Sequence, residues 1–217
     1  MGTVYISRGR FRRWLGSQFG LDEEGGDRVA RRITHGLGAL LLIYYVLPDV
    51  LFFVIPKEGL LIAALAAAWI IEGLRHAYRF QLPMIRPYED RRIASFAFYA
   101  TALAGAVLLF PEPIAAAVIL GTALVDPIAG ELRLSTAYRW LYPALPFVVY
   151  AALAFVALSG IGGWPSHAAA ALALLAAAIA LAAEYPKVPW VDDDLAMTFA
   201  PAIALYVLGV AVLGLPV

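Results

Sequence analysis

The sequence predicts an all-α fold, a polytopic bundle of transmembrane helices, and three observations predict it. Hydrophobic residues make up 63% of the 217-residue chain and the mean hydropathy is +0.80, whereas soluble domains are about 45–50% apolar. The apolar residues fall in runs close to the roughly 20 residues that a helix needs to cross about 30 Å of hydrocarbon. No cluster of strand signals competes with these runs, and backbone groups inside lipid must pair within their own segment, as a helix allows.

About seven spans follow in order. Thr34–Ile55 is the first, with Pro48 and Asp49 making its outer end irregular. Gly59–Ala77, Ile93–Phe110, Pro113–Gly130 and Leu141–Ser159 are the next four. His167–Ala183, the sixth, is almost all Ala and Leu, small enough for close helix contact. Leu195–Val217 is the seventh. Residues 1–30 precede them as a cytoplasmic segment, without the apolar stretch of a signal peptide. Phe11, Trp14, Leu15 and Phe19 fall there at helical spacing among Arg10, Arg12 and Arg13, the pattern of an interfacial helix on anionic lipid. Residues 31–217 form a single transmembrane domain.

The charges set the orientation. With seven spans, 15 of the 16 basic residues lie on one side and only Lys57 lies opposite. By the positive-inside rule that side, with the N-terminus, is cytoplasmic in a multi-pass protein of the cell membrane. The rule does not count acids, yet Glu72, Glu89, Asp90, Asp126, Glu131, Glu184 and Asp192 to Asp194 fall on the same side. An end rich in both arginine and carboxylate suits a metal-bound phosphate ligand. The zero net charge gives no electrostatic signal for a nucleic-acid partner, and the absence of cysteine excludes thiolate metal sites. There is no HExxH, P-loop, Rossmann or protein-kinase signature.

Four pieces carry candidate chemistry. Asp192-Asp193-Asp194 opens the last apolar run; like charges this close repel unless a cation or arginines neutralise them. With Glu184 at the end of the sixth span, they are hard oxygen ligands of the type that holds Mg²⁺. Asp126 lies about 20 Å of helix beyond Pro113, and Pro127 after it predicts a broken helix with an acid at the break. Glu72, Arg75, His76 and Arg79 share one helix face, with Glu72 orienting a phosphate-facing arginine; an ion-pair ladder at a helix end accounts for the same spacing. The loop Ile85-Arg86-Pro87-Tyr88-Glu89-Asp90-Arg91-Arg92 adds alternating charge.

In this order the pieces resemble the integral-membrane polyprenol kinase family (dolichol and phytol kinases, related to the phosphatidate cytidylyltransferases), and most closely its archaeal dolichol-kinase-like members. Arg31-Arg32-Ile33-Thr34-His35 resembles the family's basic-x-x-His opening of the first span. Glu72 with Arg75 resembles its E-x-x-R, and Arg86 to Glu89 its R-x-x-E. Asp126-Pro127-Ile128-Ala129-Gly130 resembles its G-D-P-[IL]-[SA]-G, with Val125 in place of the glycine. Glu184 and Asp192-Asp193-Asp194-Leu195 resemble its terminal E…D-D-N-L, with Asp194 in place of the asparagine. A K-S-x-E-G-S-like segment is missing.

The resemblance implies phosphoryl transfer from CTP, with Mg²⁺, to the hydroxyl of a long isoprenoid alcohol at the cytoplasmic membrane face. Asp126, Asp192, Asp193, Asp194 and Glu184 would serve the metal, and Asp126 and Asp193 the chemistry. Arg75, Arg79, Arg86, Arg91, Glu72 and His35 would serve the nucleotide. A CTP-dependent lipid cytidylyltransferase and a non-catalytic or transport protein are the alternatives.

Overall fold

The computed structural model describes residues 17, 23–51, 54–79, 85, 89, 92–184 and 192–216. Helices dominate: α1 (Glu23–Leu37), α2 (Lys57–Tyr78), α3 (Ser95–Leu109), α4 (Glu112–Leu134), α5 (Ala144–Val156), α6 (Ser166–Ala183) and α7 (Asp193–Leu205). A π-helical turn extends α5 over Ala157–Ile161, and another extends α7 over Tyr206–Val212. Five of the resulting helices are long and apolar enough to cross a membrane: Lys57–Tyr78, Glu112–Leu134, Ala144–Ile161, Ser166–Ala183 and Asp193–Val212; α3 is apolar but shorter. The interfacial helix expected around Phe11 to Phe19 lies outside the described residues, and α1 runs through the expected domain boundary at residue 30.

The expected first span is not one α-helix. After α1 the chain tightens into a 3₁₀ helix over Gly38–Val46, then forms a two-residue hairpin in which Val50 faces Pro56 and Leu51 faces Ile55. Hydropathy is blind to helix type, which is why this stretch read as a plain span. A Cβ on Gly38 would collide with the Tyr99 hydroxyl. Glycine at residue 38 thus leaves room for the Tyr99 and Leu103 side chains of α3, while the 3₁₀ segment packs chiefly on α4 and α1.

Burial in α2 is inverted relative to a water-soluble helix. Its buried residues are Leu61, Glu72 and Arg75, while Ile62, Ile70, Ile71 and Leu74 are exposed. Such an outward apolar face fits lipid rather than water. The middle of the bundle is α4, where Ile114, Val118, Ile119 and Val125 are fully buried. It packs against α5, α7 and α1. On α6 the buried residues Ala169, Leu172, Ala173, Ala176, Ala177 and Ala180 form one mostly small face, packed on α5 and α7. Lipid tails are as apolar as these side chains, so close van der Waals contact holds such faces together.

Candidate functional site

A cluster of charged residues forms where α1, the C-terminal half of α4 and the N-terminus of α7 meet. α1 presents Arg28, Arg31, Arg32 and His35, spaced i, i+3, i+4 and i+7 and therefore on one face. Proline does not break α4, contrary to the sequence expectation: the helix passes through Pro127 to Leu134, so Asp126 is a helical residue. Membrane helices tolerate an internal proline when packed neighbours re-satisfy the freed backbone groups, and α1 and α7 both pack on this helix.

Successive positions on a helix point about 100° apart, and the aspartate triplet divides accordingly. Asp192 is the N-cap of α7; its Oδ1 accepts a hydrogen bond from the Asp194 backbone N–H at 3.1 Å. Burial, followed by the charges of Asp194 and Asp193, pushes the Asp192 carboxyl up to about 7. Asp193 lines a cavity. Asp194 is 5% exposed and turns inward. Its backbone carbonyl accepts from Thr198 Oγ1 at 2.8 Å, and the Thr198 hydroxyl in turn meets the Thr122 hydroxyl of α4 at 3.0 Å.

Asp194 Oδ1 lies 3.2 Å from His35 Nε2, and Asp126 Oδ2 lies 3.7 Å from the same nitrogen. One donor atom from each of the three residues falls within 4.8 Å of the others. The imidazole is held from both sides. Its Nδ1 is 3.1 Å from the Arg31 carbonyl. Tyr99 stacks on the ring at 4.4 Å between centroids, and its hydroxyl donates to the His35 carbonyl at 2.6 Å.

This triad sits on the wall of a cavity of about 460 Å³. Arg28, Arg31, Arg32 and Arg133 contribute positive charge, and Ile85, Phe96, Tyr99, Pro127 and Leu134 give it an apolar side. Arg32 pairs with Glu131 and Arg133 with Glu184. Glu184 is 1% exposed; it also accepts from the Tyr142 hydroxyl at 3.4 Å, and the Arg133 guanidinium lies over the Tyr142 ring. Burial holds the Glu184 carboxyl above its ordinary range, opposed by Arg133. Glu184 therefore orients a cavity arginine, a different place from the metal set expected of it.

The second charged cluster is closed. Arg75 is 3% exposed; its Nε and Nη2 donate to Glu72 at 2.8 and 2.7 Å, and Nη2 also reaches the carbonyls of Glu89 and Arg92 at 3.2 and 2.5 Å. Glu72 Oε1 accepts in addition from the Ala94 N–H at 2.8 Å. This bidentate pair ties the end of α2 to the start of α3 and does not line the cavity. Arg79 caps α2 in a left-handed conformation, φ 53°, off the helical face expected to carry it. Arg86 and Arg91 lie outside the described residues.

Of the expected residues, the structure thus brings together His35, Asp126, Asp193 and Asp194, and holds Asp192, Glu184, Glu72 and Arg75 in the separate contacts described above. Arg28, Arg32 and Arg133 joined no expected site beyond the motif resemblance of Arg32. The i, i+3, i+4, i+7 spacing of the α1 residues was the signal that could have found Arg28 and Arg32; it does not reach Arg133. Compared with known proteins, the chain matches no protein-family model, no curated protein and no solved structure.

Proposed function

We propose that the chain is a metal-dependent lipid-alcohol kinase of the membrane, transferring the terminal phosphoryl group of a nucleoside triphosphate to the hydroxyl of a long isoprenoid alcohol. One observation carries the reading: two aspartates and a histidine from three helices line the same cavity as four arginines. Phosphoryl transfer asks a protein for positioning and charge neutralisation more than for covalent chemistry. The carboxylates of Asp126 and Asp194 suit a divalent cation that also bears phosphate oxygens.

Asp126 and Asp194, with His35, would hold that cation, which the motif resemblance alone gives as Mg²⁺. Bound there, it would neutralise the charge developing on the phosphoryl oxygens. Arg28, Arg31, Arg32 and Arg133 bind the remaining oxygens, with Glu131 and Glu184 orienting Arg32 and Arg133. The apolar side formed by Ile85, Phe96 and Leu134 receives the isoprenoid next to its hydroxyl. The hydroxyl oxygen attacks the γ-phosphorus, the bond from that phosphorus to the β–γ bridging oxygen breaks, and Asp193 accepts the hydroxyl proton. The products are the lipid monophosphate and a nucleoside diphosphate. CTP as donor follows from the motif resemblance, and the cytoplasmic position of the site from the basic-residue asymmetry.

The test uses purified protein in lipid nanodiscs with CTP or ATP, with Mg²⁺ or Mn²⁺, and a panel of prenols, read by mass spectrometry. Lipid monophosphate with nucleoside diphosphate supports the proposal. Pyrophosphate with a CDP-lipid would replace it with nucleotidyl transfer, and the absence of any nucleotide turnover would overturn it.

A further inference from the structure

The donor set of the triad selects among metals. A carbonyl oxygen only accepts, so the 3.1 Å contact between His35 Nδ1 and the Arg31 carbonyl puts a proton on Nδ1. The Nε2 lone pair of the neutral ring is then directed at Asp194 and Asp126. This is how a metal-binding histidine is commonly held, its second ring nitrogen donating to a backbone carbonyl. Stacking by Tyr99 fixes the ring plane, and the Tyr99 hydroxyl fixes the backbone beneath it. Three donors each about 2.1 Å from a common ion stand about 3–3.5 Å apart. The Nε2 separations of 3.2 and 3.7 Å from the two carboxylates are close to that spacing.

Magnesium prefers oxygen ligands and gives up water reluctantly. Imidazole nitrogen suits the divalent ions of the manganese-to-zinc series. We infer that His35, Asp126 and Asp194 form a facial site for a divalent transition metal, selective for manganese or zinc over magnesium and calcium. It rests on the kinase reading for the use made of the ion, not for its binding. All three residues line the arginine-lined cavity, from which water or phosphate oxygens would complete the shell of a bound ion.

Purified protein in nanodiscs is titrated with Mn²⁺ and followed by electron paramagnetic resonance. Stoichiometric binding is expected, with nitrogen hyperfine modulation from one imidazole and no displacement by about tenfold excess Mg²⁺. His35→Gln abolishes the nitrogen signal, and Asp126→Asn or Asp194→Asn weakens binding by at least about tenfold. The wild-type spectrum decides the question even where a variant misfolds. Failure to bind Mn²⁺, bound Mn²⁺ without nitrogen modulation, or ready displacement by Mg²⁺ would each overturn the inference. Mn²⁺ held with nitrogen ligation but no lipid monophosphate formed would sink the kinase reading and leave the metal site standing.

Discussion

Two charged clusters among the described residues differ in how far their hydrogen bonding is completed. At the junction of α2 and α3, Glu72 and Arg75 satisfy one another and three backbone groups, and both are nearly sealed from solvent. At the junction of α1, α4 and α7, Asp126, Asp194 and His35 converge with fewer donors, among the described residues, than two carboxylates can use, and they border a cavity. A saturated cluster fixes a helix junction. On the proposed reading, one with donors missing beside a cavity receives a ligand. Charge content alone separates neither, since each contains acid and base at helical spacing.

The largest effect that sharpens this contrast is on catalysis. Asp126→Asn should reduce lipid monophosphate formation by about 10³-fold or more while the protein still inserts and elutes as a single species. Activity within a few-fold of wild type would break the assignment. Glu72→Gln should do the reverse. Removing one partner of a buried pair costs about 3–5 kcal/mol, so thermal unfolding should move down markedly while turnover per folded molecule holds. Pairing Glu72→Gln with Arg75→Gln should cost little more than either change alone, because the two act as one unit. A strictly additive double variant would show that they do not.

Smaller effects test the cavity walls. Arg28→Gln and Arg32→Gln should each raise the KM for the nucleotide by about tenfold, the scale of one charge-assisted hydrogen bond, with little change in kcat. A loss confined to kcat would point to another role. Tyr99→Phe removes the hydroxyl that braces the His35 carbonyl and should cost about 1 kcal/mol in transition-state stabilisation, measured as kcat/KM. The last effect is on stability against pH. The Glu184 carboxyl is raised from its ordinary 4.5 by burial, so the folded state binds its proton more tightly than the unfolded state does. That contribution is full below 4.5 and disappears as pH rises through the raised value. Glu184→Gln should flatten this decline in a thermal-shift series.

Much of the fold was legible in the sequence because apolar run length is itself a physical constraint. α2, α6 and the π-extended α5 begin and end within a few residues of the expected spans. The stretch after His35 was not legible, since hydropathy does not separate a 3₁₀ helix from an α-helix and the segment packs on α4, far away in sequence. At the site, the convergence of Asp126 with the aspartate triplet was anticipated from charge cost in a membrane. The division of labour within the triplet follows from helix geometry and could have been read directly. The roles of Arg75 and Glu184 could not. Both depend on partners distant in the chain, the backbone of residues 89 to 94 and Arg133.

The account's central claim is that the cluster beside the cavity receives a metal-bound phosphate and the saturated one does not. An experimental structure in lipid, determined with Mn²⁺ and a non-hydrolysable nucleoside triphosphate, tests this directly. The account predicts an anomalous peak between His35, Asp126 and Asp194, with the terminal phosphate against Arg32 and Arg133 and the Glu72–Arg75 pair unchanged. Metal and phosphate bound elsewhere, or a nucleotide drawn to Arg75 with its bond to Glu72 opened, would contradict it.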